Sequence, residues 1–123
     1  MIAMGSIASE AISAAVALAA QGISCAVAVV ATLNPAPVDS PAALVARFPL
    51  ALAVEAHYIV GGVGSLVSKV IAERGLPCRV IRCGVRSTPE GVSGSQGYLY
   101  RVHGLSSDLL ATTALKALRE IER

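Results

Sequence analysis

Glu55 and His57 stand two residues apart in "VEAHYIVGGVGS", followed at once by Tyr58 and then by Gly61, Gly62 and Gly64. A carboxylate beside an imidazole can relay a proton in general acid–base catalysis. Glycines between an apolar strand and a helix let the backbone come close to another group, often a phosphate. Two uses of the pair are compatible with the residues alone. It is an acid–base pair at a strand exit, where α/β sheets place their ligands, or it holds a corner and a neighbouring surface by hydrogen bonds, and the second use is favoured. Arg82 and Arg86 flank the end of a later apolar run and are candidate contacts for an anion. His103, beside Gly104, reads as a histidine closing a helix rather than as a ligand.

Familiar catalytic and nucleotide motifs are missing. Gly62-x-Gly64 is followed by Val67 where a dinucleotide fingerprint needs a third small residue, and no acidic residue closes the next strand. Neither a P-loop nor a nucleophile elbow is present. Cys25, Cys78 and Cys83 form no CxxC pair and have no spaced histidine partner, so the expectation is reduced thiols in a cytoplasmic protein, with no disulfide framework and no zinc site.

Composition narrows the function classes further. The chain has 123 residues, enough for one domain with one core, and 54% of them are apolar while 15% are charged; an ordinary soluble domain has about 25% charged residues. With so little polar surface, burial of an apolar face in a homodimer or a heteromer is expected. All ten Lys and Arg residues lie from Arg47 onward without forming a stripe, and one Phe, three Tyr and no Trp give no stacking platform, which argues against nucleic acid. The apolar start "MIAMGSIASEAISAAVALAAQGISCAVAVVAT" has no basic leader, and Glu10, Gln21 and Gly22 interrupt the run of about 20 residues that a span needs, so neither a signal peptide nor a membrane segment is expected.

The elements that must position these residues alternate between strand and helix. A strand stub at Ile2 to Met4 precedes Gly5-Ser6, which caps a helix from about Ile7 to Gln21 with Ile7, Ala11, Ile12, Ala15, Val16 and Ala19 on one face. "SCAVAVV" (24–30) is the second strand, and Ser40 as cap with Pro41 at the first helical position starts a short helix to about Phe48. "LALAV" (50–54) is the third strand, followed by a helix from Gly62 to Arg74 that Gly75 stops, and "RVIR" (79–82) is the fourth. An irregular loop from Cys83 to Gln96 leads to helices near Gln96 to Val102 and Ser106 to Ile121. This pattern predicts a single α/β domain over residues 1–123, a three-layer α/β/α unit with a mainly parallel four-stranded sheet.

In this order the segments resemble the C-terminal domain of transketolases, the third domain of those thiamine-diphosphate enzymes. "MIAMGSIASEAISAAVALAAQGISCAVAVVATLNPAP" resembles its opening strand, Gly-Ser, helix, turn and strand. "VEAHYIVGGVGSLVSKVIAE" is similar to its "EEH...GGLGsaV" segment, with Ala56 replacing the second residue, and "SGSQGYLYRVHGLSSDLL" is similar to its closing run. The resemblance extends from Ile2 to about Leu118. The same domain closes deoxyxylulose-phosphate synthases and the β chains of 2-oxo-acid dehydrogenases, and the Glu-x-His pair favours the transketolase branch.

The resemblance implies that this chain binds no cofactor. Thiamine diphosphate and Mg²⁺ or Ca²⁺ are expected in partner chains that carry the cofactor-binding domains. It also implies that Glu55, His57, Tyr58, Gly61, Gly62 and Gly64 line a seam with another protein domain. A complete transketolase is several times longer, so the chain is expected to be a split-off subunit or a fragment, and its Met start favours a separate gene product. The family's domain also opens with an antiparallel edge strand beside the equivalent of residues 24–30, and the expectation is that a partner or a second copy supplies it. The main functional expectation is a subunit supporting two-carbon ketol transfer between sugars. The alternatives are a stand-alone module binding a nucleotide or other anion at the strand-exit edge, and a β-chain fragment of a 2-oxo-acid dehydrogenase-like enzyme.

Overall fold

The computed structural model describes residues 1–87 and 93–123; residues 88–92, part of the irregular loop expected from Cys83 to Gln96, lie outside the described residues. The described elements are β1 (Ile2–Met4), α1 (Ala8–Ala19), β2 (Ala28–Val30), α2 (Asp39–Val45), β3 (Leu50–Tyr58), α3 (Val63–Arg74), β4 (Arg79–Val85), α4 (Gln96–Val102) and α5 (Ser107–Glu122). The four strands lie in the order β2-β1-β3-β4, and every pairing is parallel. Helix follows strand because parallel neighbours need a long crossover, and the crossovers cover both faces of the sheet.

Side chains alternate across the strands into two cores. Ala3, Leu52 and Val54 join Ile7, Ala11, Ala14 and Leu18 of the α1 segment with Leu110, Ala111 and Ala114 of α5. Ile2, Ala51 and Ala53 join Val45 of α2 and Val63 and Val67 of α3 on the other face. The inner face of α1 therefore differs from the expected one: Ile12 and Val16 are exposed at 52% and 66%. Ile7 and Ala11 are buried as expected, but the buried stripe continues through Ala14 and Leu18, and Gly5–Ile7 form a 3₁₀ turn before the helix. Small residues then meet across the α1–α5 contact.

Two other boundaries differ. β2 covers only three residues of the expected seven, because β1 offers only Ile2, Ala3 and Met4 as partners for Ala28, Val29 and Val30. The preceding Ile23, Cys25 and Val27 pack on the first core as irregular chain. α2 starts one residue before Ser40, with no side-chain cap, so Pro41 sits inside the first turn. Proline is tolerated there because the first N–H groups of a helix have no partner within it.

α5 is tied to α1 by a contact across 97 residues of sequence: the Ser107 N–H donates to the Glu10 carboxylate at 2.7 Å. This satisfies one of the free donors in the first turn of α5 and puts a negative charge at the positive end of the helix. Glu10→Ala is expected to lower the unfolding free energy by about 1–3 kcal/mol. Glu10→Gln, which keeps an acceptor oxygen, is expected to lose less. Urea denaturation midpoints of the two variants check this.

Candidate functional site

β3 does not end at Val54. It runs on to Tyr58 through an irregularity: Val54 pairs with Cys83 and Tyr58 pairs with Val85, so Glu55, Ala56 and His57 stand opposite Gly84 alone. Extra residues in one strand bend it and re-aim its side chains. Here the bend turns Glu55 inward to 0% exposure while Ala56, His57 and Tyr58 stay exposed. Gly84 provides the space, since a Cβ there would lie 2.7 Å from Ile59 Cγ2 and 3.1 Å from Glu55 Cγ.

The buried carboxylate reaches the start of α3. Glu55 Oε2 accepts the Val63 N–H at 2.6 Å, the first amide of that helix. A side-chain oxygen at this place satisfies an orphan donor and meets the positive end of the helix. Gly62 is the residue before the helix, and a Cβ on it would lie 2.0 Å from Glu55 Oε2 and 2.5 Å from His57 Cε1. The group that approaches the glycine cluster is therefore the chain's own carboxylate. Gly61 beside it has a φ of 76°, a conformation that favours glycine.

His57 and Arg82 complete the corner. His57 Nδ1 lies 3.0 Å from the Tyr58 carbonyl oxygen, which can only accept, so Nδ1 carries a proton; Nε2 then lies 3.5 Å from Glu55 Oε2. The Arg82 guanidinium donates to the Ile59 carbonyl and, at 2.9 Å, to Ser65 Oγ. Ser65 Oγ in turn donates to Ile59 O at 3.2 Å and accepts from Gly61 N–H at 3.1 Å. Gly64 lets Arg82 lie across α3, because a Cβ there would sit 3.0 Å from Arg82 Nε.

The sequence-derived residues thus separate into two groups. Glu55, Gly62, Gly64 and Arg82 are used within the chain. His57, Tyr58 and Gly61 stand at the exposed rim, joined by Val60 at 86% exposure. Arg86 does not share a grip with Arg82; it donates to the Arg82 carbonyl at 2.8 Å. His103 is the residue that closes α4. Gly84, Ser65 and Glu10 carry structural roles that sequence reading missed, and a lone glycine inside the apolar run "RVIRCGV" is the signal that marks the first.

The corner can do little acid–base chemistry by itself. Glu55 is closed off from solvent, and His57, half exposed with its Nε2 3.5 Å from Glu55 Oε2, is the exposed titratable group beside it. Among the described residues no group of three His, Cys, Asp or Glu side chains is arranged to hold a metal ion. No described helix is long and apolar enough to cross a membrane. The cysteines are free thiols. Burial pushes the Cys83 thiol up to about 11, with the nearby Arg86 charge opposing, and burial raises Cys78 against the opposing N-terminal charge.

A parallel four-stranded α/β domain whose strand-exit corner is closed by a carboxylate on a helix N-terminus is the class that this geometry defines. The family described as "Transketolase, C-terminal domain" matches residues 1–110, and the chain belongs to that family. It is 35% identical over 115 residues to one of the subunits of the apulose-4-phosphate transketolase of Actinobacillus succinogenes, covering 94% of this chain and 37% of that one. A solved structure described as a split gene transketolase in an inactive β4 tetramer superposes with a TM-score of 0.85 at 27% identity, covering 96% of this chain and 38% of the other. The chain thus spans well under half the length of either relative.

Two glycines give a matched test of the corner. Gly62→Ala drives a methyl into the Glu55 carboxylate and is expected to cost about 1–3 kcal/mol. Gly97→Ala, in α4 where the new methyl meets nothing within 4 Å, is expected to gain about 0.5–1 kcal/mol. Chemical denaturation of both variants reads the contrast. For Cys83, the folded thiol keeps its proton to about pH 11, while the unfolded thiol, from 9.0, loses it earlier. Stability contributed by this group is therefore complete below pH 9.0 and is lost as pH rises toward about 11. Alkylation of Cys83 in the folded chain should stay slow at pH 8 and rise toward pH 11, as mass spectrometry of the labelled peptide would show.

Proposed function

We propose that this chain is the C-terminal-domain component of a split transketolase-like enzyme. In this reading it supports the assembly in which partner chains hold thiamine diphosphate with Mg²⁺ or Ca²⁺ and transfer a two-carbon ketol unit between sugars. The observation that carries the reading is the rim at the end of β3, where His57, Tyr58 and Val60 project beyond a corner braced from within. Val60 is 86% exposed and Tyr58 52%. An apolar residue so exposed, edged by polar groups on a rigid support, suits a protein seam better than a solvated surface.

The relatives support the same reading. The chain matches about a third of a transketolase subunit, and the solved split-gene relative is described as inactive in its β4 form, which fits a component that needs other chains. Both relatives carry transketolase names, which favours that branch over a 2-oxo-acid dehydrogenase β chain. A cytoplasmic location accords with the free thiols.

The test is reconstitution with the neighbouring gene product that carries the cofactor domains. Ketol transfer is expected from the mixture and from neither component alone. Val60→Asp and His57→Ala are each expected to weaken assembly about tenfold, with the lost rate recovered by raising the subunit concentration. Saturable binding of thiamine diphosphate to the isolated 123-residue chain would overturn the reading.

A further inference from the structure

The edge of the sheet formed by β4 carries a second feature, next to the braced corner and bordered like it by Arg82 and Gly84. β4 and its exit meet the end of α4 and the flank of α5 around a cleft of about 370 Å³. That size lies within the range of small-ligand sites, about 300–1,000 Å³. The cleft lies toward the C-terminal end of the strand, the side on which parallel α/β sheets bind ligands.

Its chemistry is one-sided. Arg86 and His103 line it together with Ser87 and Thr113, and among the described residues no carboxylate does. Arg86 donates one N–H group to the Arg82 carbonyl, and its other donors have no partner among the described residues. The His103 ring and the Ser87 and Thr113 hydroxyls have no hydrogen-bond partner among the described residues. The nearby Asp108 carboxylate pairs with Arg101 at 3.3 Å outside the cleft. Arg86 shares this wall of the cleft with the Cys83 thiol.

We propose that this cleft binds a small phosphate monoester, with Arg86 and His103 contacting the phosphate and the Ser87 and Thr113 hydroxyls donating to it. A guanidinium and an imidazole with donors that no described carboxylate takes up recognise phosphate by charge-assisted hydrogen bonds. Ile81 and Val102 give the cleft an apolar wall, which suits a phosphate attached to a short carbon skeleton better than the free ion. The Arg82 side chain takes no part, because its guanidinium is held at Ile59 and Ser65. The site does not depend on the proposed assembly role.

The experiment titrates the full chain at constant ionic strength with glycerol 3-phosphate and, separately, with inorganic phosphate. Binding is followed by the NMR signals of the His103 ring and by calorimetry. The expected result is a saturable His103 shift with glycerol 3-phosphate binding the tighter of the two. Arg86→Ala and His103→Gln, with circular dichroism confirming their fold, should each weaken it about tenfold, and Arg119→Ala on the outer side of α5 should leave it unchanged. Any of three outcomes overturns the proposal: no saturable shift up to about 10 mM, tighter binding of inorganic phosphate than of the monoester, or full affinity in a folded Arg86→Ala chain.

Discussion

The exit of the sheet depends on one contact, the Glu55 carboxylate on the first amide of α3, at 2.6 Å. A carboxylate removed from water costs several kcal/mol in a protein interior. A charged hydrogen bond at the positive end of a helix offsets part of that cost, while the second carboxylate oxygen, Oε1, is buried without a hydrogen-bond partner among the described residues. Because the group is fully buried, its surroundings have to be shaped around it. The irregularity in β3 brings it in, Gly84 and Gly62 vacate the space it needs, and Gly61 turns the chain back into the helix.

This contact also decides what the domain shows to other molecules. Glu55, Ser65 and Arg82 lock the segment between β3 and α3 from below, so His57, Tyr58 and Val60 are held out on a support with little freedom to collapse. A pre-arranged rim loses less entropy when another surface covers it. The same bracing holds the Arg82 guanidinium at Ile59 and Ser65, while Arg86 at the β4 edge keeps donors without a partner among the described residues. One buried carboxylate thus separates a rim suited to a protein partner from a basic cleft suited to a small anion.

Much of this architecture was legible in the residues. The alternation of apolar strands and helices placed the four-stranded parallel sheet, and the Gly75 stop of α3 is met by a left-handed residue at φ 60°. Local spacing was weakest where tertiary packing chose among near-equal options. In α1, Ala14 and Leu18 point inward while Ile12 and Val16 point out, because an alanine-rich helix has several faces of similar apolarity and packing on α5 chooses among them. In β2, the length was set by the short partner strand rather than by its own apolar run. The glycine corner was recognised as a place of close approach. That the approaching group is Glu55, well upstream of Gly62, required the bulge, which shows in the sequence only as Gly84 on a different strand.

Whether Glu55 holds the start of α3 can be read from amide hydrogen exchange at Val63 in the wild type, Glu55→Gln and Glu55→Ala chains. Glu55→Ala is expected to expose the Val63 amide to faster exchange, to loosen residues 59–64 with it, and to cost about 1–3 kcal/mol of stability, while Glu55→Gln, which retains an acceptor, falls between the two. An unchanged Val63 exchange rate and unchanged stability in Glu55→Ala would contradict it.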